Sequence, residues 1–160
     1  GKTMKHVISA LKLIFWLVLC QLPGLAGAGA VQPNLAWYHS LAMPPLTPPD
    51  ALFGMAWGVL YLLLGVCAFL AFRGGLNASV RKPLILFIVQ LALNAWWTPV
   101  FFGNQNPGAA LLILLVMLAE GIWLARVWWS SRRVCAWLLL PYGLWLAYAG
   151  YLNAAIWYLN

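Results

Sequence analysis

Long, nearly unbroken apolar runs divide the chain into five segments, at about residues 7–25, 50–72, 83–102, 107–127 and 134–157. Each offers about the 20 residues that a helix needs to cross a hydrocarbon core about 30 Å thick. The residues between them suit helix ends. Pro83 and Pro107 stand in first turns, where a missing N–H costs nothing. Arg73-Gly74-Gly75 closes the second segment with C-cap chemistry, and Arg132 and Arg133 mark the short turn before the fifth. Pro99 and Pro141 interrupt the third and fifth segments and are expected to kink them. The pattern predicts an all-α fold: a polytopic five-transmembrane-helix bundle forming one membrane domain over residues 1–160.

One sizeable loop, about residues 26–49, joins the first two segments and holds Pro33, Pro44, Pro45, Pro48 and Pro49. Proline fixes φ and favours extended backbone, so a stiff loop is expected. It carries Trp37, Tyr38 and His39, which fits either a lid over the bundle or an interfacial aromatic belt.

Charge tests the count of spans. Lys2, Lys5 and Lys12 precede or open the first segment; Arg73, Arg81 and Lys82 lie around the second connection; Arg126, Arg132 and Arg133 lie around the fourth. Five crossings put all nine cations on one face, and removing any interior helix would scatter them. By the positive-inside rule that face is cytoplasmic, as is the N-terminus. A secretory signal peptide ending near Ala26-Gly27-Ala28 is the rival reading, and its cleavage would leave four helices. Gly1-Lys2-Thr3 precede Met4, the expected native start.

Composition narrows the class. The chain is 65% hydrophobic and 7% charged, against about 25% charged in soluble domains. The net charge of +7 is not gathered into a basic run, which argues against nucleic acid. Cys20, Cys67 and Cys135 are odd in number and without CxxC spacing, so they read as small buried hydrophobes rather than a disulfide or zinc framework. No Ser/His/acid set, metal-ligand cluster or phosphate loop appears. No catalytic or metal-ligating residue is therefore expected, and no cofactor is required.

Polar groups at membrane depth each need an explanation. Gln90 and Asn94 are four apart and share a helix face, and Asn153 lies late in the fifth segment. They either tie helices together or line a polar spot in a cavity. Glu120 is the one carboxylate within a span; it either bonds a neighbouring helix or serves a proton relay, for which the sequence shows no chain of titratable partners. Of the eleven tryptophans, Trp16, Trp96, Trp97, Trp128, Trp129, Trp137 and Trp157 fall near segment ends, as in an aromatic belt. Trp57, Trp123 and Trp145 fall deeper, where they either pack or wall a cavity for a flat apolar ligand. Trp57 and Tyr61 share one face, as do Trp145 and Ala149.

Three stretches resemble the TspO/MBR family, the translocator proteins once called peripheral benzodiazepine receptors. The first is Trp37-Tyr38-His39-Ser40-Leu41, then Met43-Pro44, Pro48-Pro49, Phe53-Gly54, Trp57 and Leu60-Tyr61. The second is Gln90-Leu91-Ala92-Leu93-Asn94, then Trp97-Thr98-Pro99 and Phe101-Phe102-Gly103; the third is Leu140-Pro141-Tyr142, Leu144-Trp145 and Leu152-Asn153. The likeness runs in order from the first loop to the C-terminus. It implies a bacterial member of the family, usually a homodimer, with a cavity under the first loop. It also implies porphyrins (protoporphyrin IX or haem) and isoquinoline or benzodiazepine-type drugs as ligands. The positions matching the family pocket are Tyr38 in the lid, Trp57, Asn94, Trp145 and Ala149. Trp57 and Trp145 would stack on a flat ligand that Asn94 orients.

Two departures bear on that reading. Where animal members carry a sterol-recognition Tyr and Arg, this chain has Ala154 and Tyr158, which argues against high-affinity cholesterol binding. Met43 replaces the Lys usual before the loop's proline. The resemblance implies a receptor- or transporter-like protein for tetrapyrroles in the bacterial inner membrane. The alternatives are a light-dependent porphyrin-degrading enzyme, its chemistry carried by the tryptophans, and a regulatory membrane scaffold.

Overall fold

The computed structural model describes residues 1–160 and contains helices and turns only. Its elements are α1 (Lys2–Val31), a 3-10 turn (Gln32–Asn34), α2 (Leu35–His39), α3 (Asp50–Phe72), α4 (Arg81–Thr98), α5 (Pro107–Ser131) and α6 (Arg133–Leu159). Five helical stretches are long and apolar enough to cross a membrane, in agreement with the five runs. The bundle packs α1 against α3 and α4, α5 against α4 and α6, and α3 against α6.

The ends of the elements follow local chemistry. Asn106 caps α5 by accepting from the Ala109 N–H at 3.1 Å, with Pro107 at the first helical position. Gly75 takes φ +116° after α3, a conformation that glycine adopts without steric cost. Arg132 is the single non-helical residue between α5 and α6, with φ −153°. The turn expected there is thus reduced to one extended residue, and α5 continues past 127.

The first helix corrects the sequence reading most. Ala26–Ala30 are helical rather than loop, Pro23 lies inside α1, and Leu35–His39 is helical too. The 30 residues of α1 span about 45 Å at 1.5 Å per residue, which covers headgroups as well as hydrocarbon. An Ala/Gly run has helix geometry available, and leaving the bilayer is no reason to stop. The non-helical part of the lid shrinks to residues 40–49.

Pro99 resolves as a π-helical turn over Pro99–Gly103 that prolongs α4. Proline cannot donate to the ladder, and a wider turn is one local adjustment a helix makes to that loss. It turns Phe101 and Phe102 toward α2, where Phe101 lies 5.8 Å from Trp37 and Phe102 lies 5.3 Å from Tyr38, centroid to centroid.

Close approach is bought with glycine at two places. A Cβ on Gly65 would stand 2.9 Å from Leu17 Cα, and one on Gly27 would stand 2.9 Å from Thr98 Cβ. The first neighbour is backbone and cannot swing aside. Gly65→Ala should therefore destabilise the α1–α3 contact by about 1–3 kcal/mol. Thermal unfolding of the detergent-purified protein should show a lower midpoint for Gly65→Ala and an equal or higher one for Gly143→Ala, whose Cβ would meet nothing within 4 Å inside α6.

Candidate functional site

A cavity of about 470 Å³ opens inside the bundle beneath α2. Its walls come from α1, α3, α4, α6 and the π turn, with Met117 from α5, and include Phe53, Trp57, Tyr61, Trp97 and Phe101. Glycines recur around it: Gly24 and Gly27 on α1, Gly54 and Gly58 on α3. The last two would place a Cβ within 4 Å of nothing, so α3 leaves space on both sides of Trp57. The cavity is mostly apolar, and its volume falls within the range of small-molecule sites, roughly 300–1,000 Å³.

Four of the five positions singled out in the sequence line this one cavity: Tyr38, Trp57, Asn94 and Ala149. Trp145 does not. It lines a shallow groove on the outer face of α3 and α6, and meets the cavity only through its neighbours. Its ring lies 5.5 Å from Phe53 and 6.1 Å from Trp57, edge-on to the latter at 89°. The reason is register: Trp145 and Ala149 share a helical row, but only Ala149 reaches the interior, where it is 2% exposed. Trp145 therefore buttresses Trp57 from the groove side.

Both readings of the membrane amides hold at once. Asn94 Nδ2 donates to the Gln90 carbonyl and to Tyr142 Oη, each at 2.7 Å, while the Tyr142 hydroxyl donates to Gln90 Oε1. Gln90 Nε2 donates to the Met117 carbonyl at 3.0 Å and to Glu120 Oε2 at 2.6 Å. The chain Asn94–Tyr142–Gln90–Glu120 ties α4 to α6 and α5. Both hydrogens of the Asn94 amide are spent on it, so Oδ1, buried and without a partner, is the acceptor this residue has left for the cavity wall. Asn153 adds a second tie, accepting from Trp97 Nε1 at 3.0 Å and donating to the Pro107 carbonyl at 2.8 Å. Glu120 thus bonds a neighbouring helix. Tyr142 is the link that sequence spacing missed, because no periodicity relates a residue of α6 to one of α4.

The tryptophans sort by face rather than by position along the helix. Trp16, Trp97 and Trp128 are buried in the core instead of forming a belt, and Trp128 is 1% exposed. Trp96, Trp129, Trp137 and Trp157 face outward, as a belt requires. Trp123, expected deep, is 52% exposed, with Lys82 Nζ 5.4 Å from its ring.

The lid is fastened mainly through its backbone. Tyr151 Oη donates to the Pro45 carbonyl at 2.8 Å, Tyr148 Oη donates to the Leu46 carbonyl, and the Asn160 amide both donates to and accepts from Ala42, each at 3.0 Å. His39 Nε2 pairs with Asp50 Oδ2 at 2.7 Å beside the cavity mouth. Leu46 adopts φ +69°, an uncommon conformation for leucine, where the lid turns over Tyr148.

These features define a class: an integral multi-pass helical membrane protein with a lidded internal cavity walled by aromatic rings. The family follows from comparison. Residues 15–159 match the model of the TspO/MBR family, and the chain belongs to that family. It is 36% identical over 154 residues to the tryptophan-rich protein TspO of Archaeoglobus fulgidus, covering 96% of this chain and 99% of that one. It is 40% identical over 127 residues to the translocator protein homolog of Schizosaccharomyces pombe, covering 77% of each. The human translocator protein is 37% identical over 126 residues, covering 78% of this chain and 75% of that one.

Tyr142→Phe should strand Gln90 Oε1 and cost the Asn94 amide a partner, lowering stability by about 1–3 kcal/mol. Denaturant or thermal unfolding in detergent reads this directly, and Tyr148→Phe, at the exposed lid edge, should lose less.

Proposed function

We propose that this protein, receptor- or transporter-like as its family membership supports, binds flat aromatic ligands in the cavity beneath α2, with porphyrins such as protoporphyrin IX as the natural class and isoquinoline or benzodiazepine-type drugs as mimics. The observation that carries the reading is the combination of Trp57 with the spare Asn94 acceptor in one mostly apolar cavity. Trp57 is half-buried and already stacked on Tyr61, with centroids 5.6 Å apart and planes at 30°. Offset stacking extends naturally to a planar ligand laid against the exposed part of that indole. Asn94 Oδ1 favours a ligand that brings an N–H or O–H to the inner end of the cavity, since an unpaired buried acceptor costs free energy that a donor recovers. Tyr38, held over Phe102 in α2, closes the top. The working unit is a homodimer in the bacterial inner membrane, with its cationic end in the cytoplasm and the lid on the opposite side.

A titration of the detergent-purified protein with protoporphyrin IX, followed by tryptophan quenching, tests this. Saturation is expected at low micromolar ligand. Trp57→Phe and Asn94→Ala should each weaken binding about tenfold, roughly 1.4 kcal/mol. Trp145→Phe, acting only through Trp57, should weaken it less. Linear quenching, or identical saturation in all variants, would mean that porphyrin merely partitions into the micelle and that the cavity is not its site.

A further inference from the structure

The groove that takes Trp145 away from the cavity has a use of its own. It runs between α3 and α6 on the face that a bilayer would cover, floored by Ala56 and Leu60 and flanked by Met55, Val59, Leu144 and Trp145. Met55, Val59 and Leu144 are each more than 60% exposed, at 64%, 64% and 63%. Only a wall two rings deep separates groove from cavity: Trp145 on the outer side, Phe53 and Trp57 on the inner side. Trp145 Nε1 is buried in that wall with no acceptor. An indole N–H without a partner is unusual in an apolar setting.

We propose that this groove is the bilayer-facing entrance for the cavity's own ligand, a flat apolar molecule with a carbonyl or carboxyl acceptor, which passes inward between Trp57 and Trp145. The inference rests on the reading that the cavity binds such a ligand. Three observations favour this route over the lid. The wall can part by side-chain rotation, because Gly54 and Gly58 leave open space on either side of Trp57. Pro141 removes a ladder hydrogen bond from α6 at the groove, which loosens that helix locally. Opening the lid instead means breaking the bonds from Tyr148, Tyr151 and both sides of the Asn160 amide, together with the His39–Asp50 pair. A ligand dissolved in lipid meets the groove first, and Trp145 Nε1 supplies a donor to its acceptor while the rings part.

A blocked entrance changes rates without changing the equilibrium, and that is the test. Protein in lipid nanodiscs is mixed with protoporphyrin IX in a stopped-flow instrument, and binding is read by porphyrin emission. Val59→Trp and, independently, Met55→Trp fill the groove from its lipid-facing rim. Each should slow association and dissociation at least fivefold and leave Kd within twofold. The lid variant Tyr151→Phe/Asn160→Ala should leave both rates within twofold. Faster exchange in the lid variant with unchanged rates in the groove variants would overturn the proposal in favour of entry past the lid. Unchanged rates in every variant would also overturn it and leave the groove holding a lipid tail only. Absence of saturable binding by the unsubstituted protein would instead defeat the cavity reading itself, and the route with it.

Discussion

Hydrocarbon offers no hydrogen-bond partner, so every polar side chain inside this bundle must find one in the protein. That constraint explains the centre of the structure. Gln90 cannot face lipid, and it meets Glu120 and the Met117 carbonyl on α5 and the Tyr142 hydroxyl on α6. Those bonds fix how α4, α5 and α6 sit against one another, which apolar packing alone does weakly in lipid because Leu against Leu is no better than Leu against an acyl chain. The cavity exists because this tie holds one side of the bundle while the glycine contacts of α1 hold the other.

The same tie bears on the recognition proposed above. The amide of Asn94 is oriented by two acceptors, one of them a main-chain carbonyl that cannot turn away. Its oxygen is therefore held in place before any ligand arrives. A preorganised acceptor loses little freedom on binding, which is how a single polar atom among aromatic walls can set the orientation of a flat molecule. Trp57 is preorganised in the same sense, propped by Tyr61 on one side and Trp145 on the other.

Much of this was legible in the sequence. Charge placement and run length fixed five spans, and the shared face of Gln90 and Asn94 pointed to a buried polar spot. What was not legible has a common physical cause. In a soluble helix the polar face reveals the apolar one, but here both faces are apolar. The sequence therefore places Trp16, Trp97 and Trp128 at a depth without saying that they turn inward. The same degeneracy hid that Trp145 looks outward while Ala149, one turn on, looks in. The Ala/Gly run after residue 25 read as loop because small residues mark turns in water, whereas beside a membrane they also mark tight helix packing, as at Gly27.

The manner in which the lid is fastened bears on how such a protein diversifies. Tyr148, Tyr151 and Asn160 grip carbonyls and an amide of residues 42–46, not their side chains. Main-chain atoms survive almost any substitution. The anchoring burden therefore falls on α6, and these bonds do not themselves depend on which side chains the cover carries. A change among the cover's inward-facing side chains can therefore reshape the roof of the cavity without loosening how that roof is attached.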